Sequence, residues 1–217
     1  MSEVWAGMAT LLERAGSRTM AVESLLPQVD RLVVARGDER GVEAKYDACQ
    51  VMPDDAIFLG VDDDLVYPPD YVESTLRWLN EFPGCIVSYH GFTINEDGDR
   101  AANYRCLDAL AEPVDVHVVG SGVCAFRIST IRPLPEHFPV RNGADPWLAL
   151  LAQQRGVRRV VVPHPDRWFG YTEWRRTMWT ETSQQTGSGL DGSAAMREAC
   201  ARLVELIEWP SLAEVAA

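Results

Sequence analysis

The sequence predicts a layered α/β domain with a mostly parallel central sheet. Three observations carry that expectation. Strand-sized apolar runs alternate with segments of helical spacing along most of the chain. Residues 56–61 are apolar without alternation, as expected of a central strand covered on both faces. At 217 residues and 47% hydrophobic, the chain is long enough and apolar enough for one core.

Taken in order, residues 4–10 read as a first strand ending in small residues. Residues 11–17 read as a polar turn, and 18–26 as a helix on the spacing of Met20, Ala21, Ser24 and Leu25, stopped by Pro27. Residues 31–35 form a second strand, followed by a loop at 36–41 and a helix at 42–52. The apolar run 56–61 delivers three consecutive acids, Asp62, Asp63 and Asp64, at its C-terminal end. Pro68, Pro69 and Asp70 open a helix through Leu79, because prolines suit a first turn and Val72, Leu76 and Leu79 share a face. A strand at 85–92 and a turn at 95–99 come next. Residues 114–127 read as one strand interrupted by Gly120, Ser121 and Gly122. An amphipathic helix spans 144–155 with Gly156 as its C-cap, and the last strand is 157–162. The expected organisation is a domain over 1–180, a flexible Ser/Gln/Thr/Gly linker over 181–192, and a C-terminal helix within 193–217.

Composition excludes several classes. No apolar run approaches the ~20 residues that span a bilayer, and the N-terminus makes a poor signal peptide. Cys49, Cys85, Cys106, Cys124 and Cys200 are scattered without a Cys-x-x-Cys pair, so neither a disulfide framework nor a zinc site is expected. The chain reads as a soluble cytoplasmic protein (host cytoplasm for a phage-encoded one). A net charge of -12 argues against nonspecific nucleic-acid binding by the whole surface. Locally the balance reverses: Arg155, Arg158, Arg159, Arg167, Arg175 and Arg176 stand against only Asp166 and Glu173.

Three adjacent carboxylates at a strand end need a reason. They could cap the next helix and face water. A calcium loop fits Asp62, Asp64, Asp70 and Glu73 but puts Tyr67 where a glycine is needed, and fails. A phosphatase of the haloacid dehalogenase type would use Asp62 as nucleophile and Asp64 as acid/base, but the lysine and second acidic pair it wants downstream are missing. The remaining reading is an Asp-x-Asp pair holding Mn²⁺ or Mg²⁺ against a diphosphate, chemistry that hard oxygen ligands suit.

At this point the chain resembles the GT-A type glycosyltransferases. The resemblance rests on the segments beginning Trp5-Ala6-Gly7 and Val22-Glu23-Ser24, on Lys45-Tyr46, on residues 61–71, on His90-Gly91, on Gly120-Ser121-Gly122 and on Ala144-Asp145-Pro146-Trp147, in that family's order over about residues 4–170. It implies a Rossmann-like three-layer sandwich and transfer of a hexosyl or pentosyl group from a nucleotide-diphosphate donor, with UDP-sugar the expected one. The resemblance gives Asp62 and Asp64 to the metal, with His164 as a third ligand. Thr10, Arg14, Asp38, Lys45, Asp62 and Asp63 fall to the nucleotide-sugar, and His90, Gly120, Gly122 and Trp147 to the acceptor and sugar side. Asp145 becomes the base of an inverting reaction. Among the three acids Asp64 is expected to matter most and Asp63 least.

Plainer roles stand beside these. Asp145 could cap its helix, His164 could be structural, Asp38 could be an exposed loop charge, and the glycines could make a β-bulge. The acceptor is open between 5-hydroxymethylated cytosine in phage-type DNA and a saccharide or small hydroxyl compound. Arg167, Trp174, Arg175 and Arg176 are the candidate nucleic-acid contacts, since bases stack on aromatics and phosphates meet arginines. The reduced length between the second and third strands puts base recognition in question. The other alternative is a non-catalytic domain that binds nucleotide-sugar with a saccharide partner.

Overall fold

In the computed structural model, residues 2–172 and 194–208 are described. Strand β1 (Val4–Thr10) is buried along its whole length because parallel neighbours flank it, β2 (Arg31–Arg36) and β3 (Ile57–Asp62). Between β1 and β2 the chain makes a 3₁₀ turn, Leu12–Arg14, and helix α1 (Ala15–Leu25). Helix α1 begins earlier than residue 18, so part of the expected polar turn is helical. After β2 come the one-turn helix α2 (Gly37–Arg40) and a nine-residue 3₁₀ helix, Val42–Gln50, where an α-helix was expected.

The triplet turns into β4 (Leu65–Val66), and α3 (Tyr71–Glu81) follows two residues after the paired prolines. Strands β5 (Ile86–Ser88), β6 (Gly91–Ile94) and β7 (Arg100–Tyr104) come next. The Asn95 side chain closes the β6–β7 hairpin by accepting from the amides of Asp97 and Asp99. Residues 114–127, read as one interrupted strand, are three: β8 (Val114–Asp115), β9 (Val118–Val119) and β10 (Val123–Arg127). Helix α4 (Ala144–Gln154), β11 (Arg159–Val161), β12 (Gly170–Tyr171) and α5 (Ala194–Val204) complete the described elements.

The seven-stranded sheet has the order β2-β1-β3-β10-β5-β11-β8. Its pairings leave five strands pointing one way, with β10 and β8 against them. Two small antiparallel sheets, β12-β4 and β7-β6-β9, flank it. Alternation along β3 sends Phe58 to one face and Ile57, Leu59 and Val61 to the other. On the Phe58 face lie Tyr46, Cys49, Trp147, Leu148, Ala199 and Leu203. The opposite face carries Ala21 and Leu25 from α1 with Tyr71, Val72 and Leu79 from α3. The result is three layers, the arrangement of a GT-A sandwich.

One close approach explains how the 3₁₀ helix sits. A Cβ on Gly7 would lie 2.2 Å from the Lys45 carbonyl oxygen and 2.7 Å from the Phe58 ring. Only glycine lets that helix lie across the middle of β1, and the Lys45 side chain then reaches the end of β3. All five cysteines are buried, and none forms a disulfide among the described residues. Among the described residues no helix is long and apolar enough to cross a membrane. The linker 181–192 lies outside the described residues.

Candidate functional site

In an open α/β sheet, ligands gather beyond the C-terminal strand ends. Strand β3 delivers the three acids there, and they take up three different environments. The Asp63 carboxylate turns inward, where one oxygen accepts from Thr10 Oγ1 at 2.6 Å and the other from the Arg14 guanidinium. Both charged side chains are sealed, at 2% and 3% exposure. Burial raises Asp63 above the usual carboxylate range, against the lowering effects of Thr10 and Arg14.

Asp64 is held from two sides. Its Oδ2 accepts from Arg14 Nη2 at 3.0 Å, and its main-chain carbonyl accepts from Thr172 N and Oγ1 at 2.9 and 3.0 Å. Burial first, and then the charge of Asp62, push its carboxyl up to about 6. Asp62 is the open member, with a side chain 43% exposed. Its Oδ1 meets Lys45 Nζ at 2.5 Å, and a Cβ on Gly122 would fall 1.8 Å from Oδ2. Lys45 is 1% exposed. Burial alone would depress its ammonium, but the charge and hydrogen bond of Asp62 outweigh that and hold it above the ordinary value.

Asp62 opens onto a cavity of about 140 Å³, whose lining includes Asp145, His90, Cys106, Ser121 and Gly122. Asp145 is the second residue of α4, but Gly143 occupies the N-cap position and no side chain caps the helix. The Asp145 Oδ1 instead accepts from the Ser121 amide at 2.9 Å, across on the β9–β10 turn. Burial lowers His90 below the ordinary imidazole value, with Asp145 opposing. The glycine turn is pinned from behind by Tyr67. Its hydroxyl accepts from the Asp62 amide at 2.7 Å and donates to the Gly122 carbonyl at 2.8 Å. Sequence reasoning missed this tyrosine, although its place beside Pro68 and Pro69 was the available signal.

Other expected site residues lie elsewhere. His164 is buried with Nδ1 2.8 Å from the Val162 carbonyl and Nε2 3.3 Å from that of Arg105, so both ring nitrogens face backbone oxygens. Trp147 packs into the core, with the Arg202 guanidinium 5.4 Å from its ring centre, and does not line the cavity. Asp38 accepts from the Leu12 amide at 3.1 Å, steadying the 3₁₀ turn. Thr10 and Arg14 face Asp63 rather than an open pocket.

The basic-aromatic segment divides likewise. Phe169 is buried, and the Tyr71, Tyr89 and Trp168 rings pack around it within 5.6 Å, centre to centre. Arg159 is also buried, donating to the Val116 and Ala149 carbonyls and to Gln153. Arg158 pairs with Asp115. Arg167 is exposed beside Asp166. Trp174, Arg175 and Arg176 lie outside the described residues.

Among the described residues, no three His, Cys, Asp or Glu side chains gather in a way that could hold a metal ion. A cage including His164 is therefore not built here. A phosphate-bridging Mg²⁺ or Mn²⁺ needs less, commonly one or two carboxylates with the other positions filled by water and phosphate. Asp62, open to the cavity, and Asp64, two residues further on and raised first by burial and then by the charge of Asp62, fit that smaller demand.

Fold and site geometry together define a GT-A-like α/β protein with a carboxylate cleft. Neither a protein-family model nor a curated protein matches the sequence. Solved structures do match. "A197 from STIV" aligns over 82% of this chain and 97% of its own, at 10% identity and a TM-score of 0.50. "GalNAc-T7 with UDP, GalNAc and Mn2+" aligns over 98% of this chain at 9% identity and a TM-score of 0.55. The chain spans about half, 49%, of that second protein. At such identities the likeness is one of fold.

Proposed function

We propose that the chain is a metal-dependent glycosyltransferase that moves a sugar from a nucleoside-diphosphate donor, with UDP-sugar the expected one, to a hydroxyl acceptor. The observation that carries this reading is that Asp62 and Asp145, from different layers, open onto one cavity beyond the end of β3. The GalNAc-T7 structure, with UDP, GalNAc and Mn²⁺, supports it from the side of the fold.

In this reading Asp62 holds the cation, with Asp64 beside it. A bound Mn²⁺ or Mg²⁺ would neutralise the diphosphate as it leaves. Lys45 fixes Oδ1 of Asp62, and Gly122 leaves room for Oδ2. Asp145 accepts the acceptor hydroxyl's proton. As the acceptor oxygen bonds to the anomeric carbon, the bond from that carbon to the phosphate oxygen breaks and its electron pair leaves with the nucleoside diphosphate. Transfer from the face opposite the leaving group inverts configuration. The Ser121 amide holds Asp145 in place for this. Thr10 and Arg14 serve indirectly, by anchoring Asp63 and Asp64. With Trp168 half-buried and Phe169 buried, a saccharide or small hydroxyl compound is the acceptor proposed ahead of DNA.

Thermal melting with UDP, GDP, CDP and ADP, each with and without Mn²⁺, tests the reading. A Mn²⁺-dependent rise with one diphosphate, lost in Asp62→Asn, is expected. No rise with any of the four would overturn it, and phosphate release from a monoester would favour the phosphatase instead.

A further inference from the structure

The cavity that would receive the donor's sugar has an unusual charge arrangement. Asp62 and Asp145 both line it. The two cations nearest the triplet are withdrawn behind it: Arg14 is 3% exposed and divided between Asp63 and Asp64, while Lys45 is 1% exposed and bound to Asp62. Among the described residues no lysine or arginine lines the cavity. The remaining wall is apolar or neutral, including Leu65, Val123, Cys106 and the glycine turn.

Such a wall accepts hydrogen bonds from hydroxyl or ammonium groups and, among the described residues, offers a carboxylate no lysine or arginine. A sugar carboxylate placed there would be desolvated beside the Asp145 carboxylate, a like-charge contact that disfavours binding. Selection of this kind works by repulsion of the wrong ligand as much as by attraction of the right one.

Resting on the transferase reading above, we propose that this cavity selects donors whose sugar is neutral or amino-substituted and rejects sugars carrying a carboxylate. Asp145 is the discriminating residue on the sugar side.

The experiment is calorimetric titration of the full chain in Mn²⁺ with UDP, UDP-glucose, UDP-glucosamine and UDP-glucuronic acid. UDP-glucose and UDP-glucosamine are expected to bind at least about tenfold more tightly than UDP-glucuronic acid, with Asp145→Asn narrowing that ratio. If UDP-glucuronic acid binds as tightly as UDP-glucose while UDP itself binds, the selectivity is wrong and the donor reading stands. If UDP and all three sugars fail to bind, the UDP-sugar reading falls and the selectivity with it. An unchanged ratio in Asp145→Asn would remove Asp145 from the role even where the wild-type preference is seen.

Discussion

Asp62 and Asp63 are neighbours in sequence and opposites in the folded chain. The Asp63 side is closed: a hydroxyl and a guanidinium take its oxygens, and its side chain is 2% exposed. On the Asp62 side the carboxylate is 43% exposed, shared with one lysine and open to a cavity. A closed ion pair holds the chain together, because removing one partner strands a charge without water. An open one can exchange its partner for a ligand. The triplet thus divides into a fastening and a working face, with Asp62 at the last position of β3 and Asp63 in the turn that follows.

The largest effect that could break this contrast is Asp63→Ala. It takes the buried partner from Arg14 Nη1, leaving only Asp64 on Nη2, and should cost about 3 kcal/mol of stability by urea denaturation. Asp62→Asn keeps an oxygen for the buried Lys45, which without its counter-charge can shed its proton as Arg14 cannot, so it should cost less; equal losses would mean the two sides do not differ. Tyr67→Phe tests the joint between them. Losing its hydroxyl leaves the Asp62 amide and the Gly122 carbonyl without that partner and should cost about 1–3 kcal/mol. It should also weaken the Mn²⁺-dependent nucleotide response, which a purely structural tyrosine would leave intact.

A control away from the triplet is His117. Its buried Nδ1 accepts from the Ile94 amide at 2.9 Å, and burial first, then Arg159, lower it to about 4. A histidine depressed below its unfolded value adds stability that is complete above about pH 6.5 and is lost as pH falls towards 4, because the unfolded chain binds the extra proton. Stability should drop by on the order of 1–2 kcal/mol between pH 7 and 5, and His117→Asn should flatten that slope. The smallest change in stability is expected from Asp145→Asn, about 0.5 kcal/mol or less, because the amide oxygen still accepts from Ser121. Its turnover should nevertheless fall about 10²–10⁴-fold in a transfer assay.

The sheet was legible wherever apolar runs were long or punctuated. The run 56–61 announced β3, and Pro68 with Pro69 announced α3. Gly156, in the left-handed region at φ 66°, closes the chain after α4 as its position suggested. Residues 114–127 misled because neighbouring apolar pairs went to different sheets, and one-dimensional spacing carries no sheet membership. The 3₁₀ character of residues 42–50 has no signal in their own sequence, since the tight contact is made from the far side by Gly7.

The site was legible as a place and less so as a set of roles. Asp62, Asp145, His90 and the glycine turn do line one cavity, from segments far apart in sequence. The expected ranking within the triplet is reversed for Asp63, which is the most tightly fastened of the three. Spacing alone cannot say which carboxylate points beneath the sheet. His164 carried the right chemistry for a ligand, but two carbonyls claim its nitrogens. Trp147 lay beside the right carboxylate in sequence, yet it sits two positions further along α4 and so points to the core.

Lys45 is the chain's single lysine, and its ammonium is buried against Asp62. Amine-directed reagents therefore have one side-chain target in the whole protein, and the native fold shields it. Acylation of that amine reports on opening of the Lys45–Asp62 contact, so labelling kinetics followed by mass spectrometry would read the motions of the site without an introduced probe.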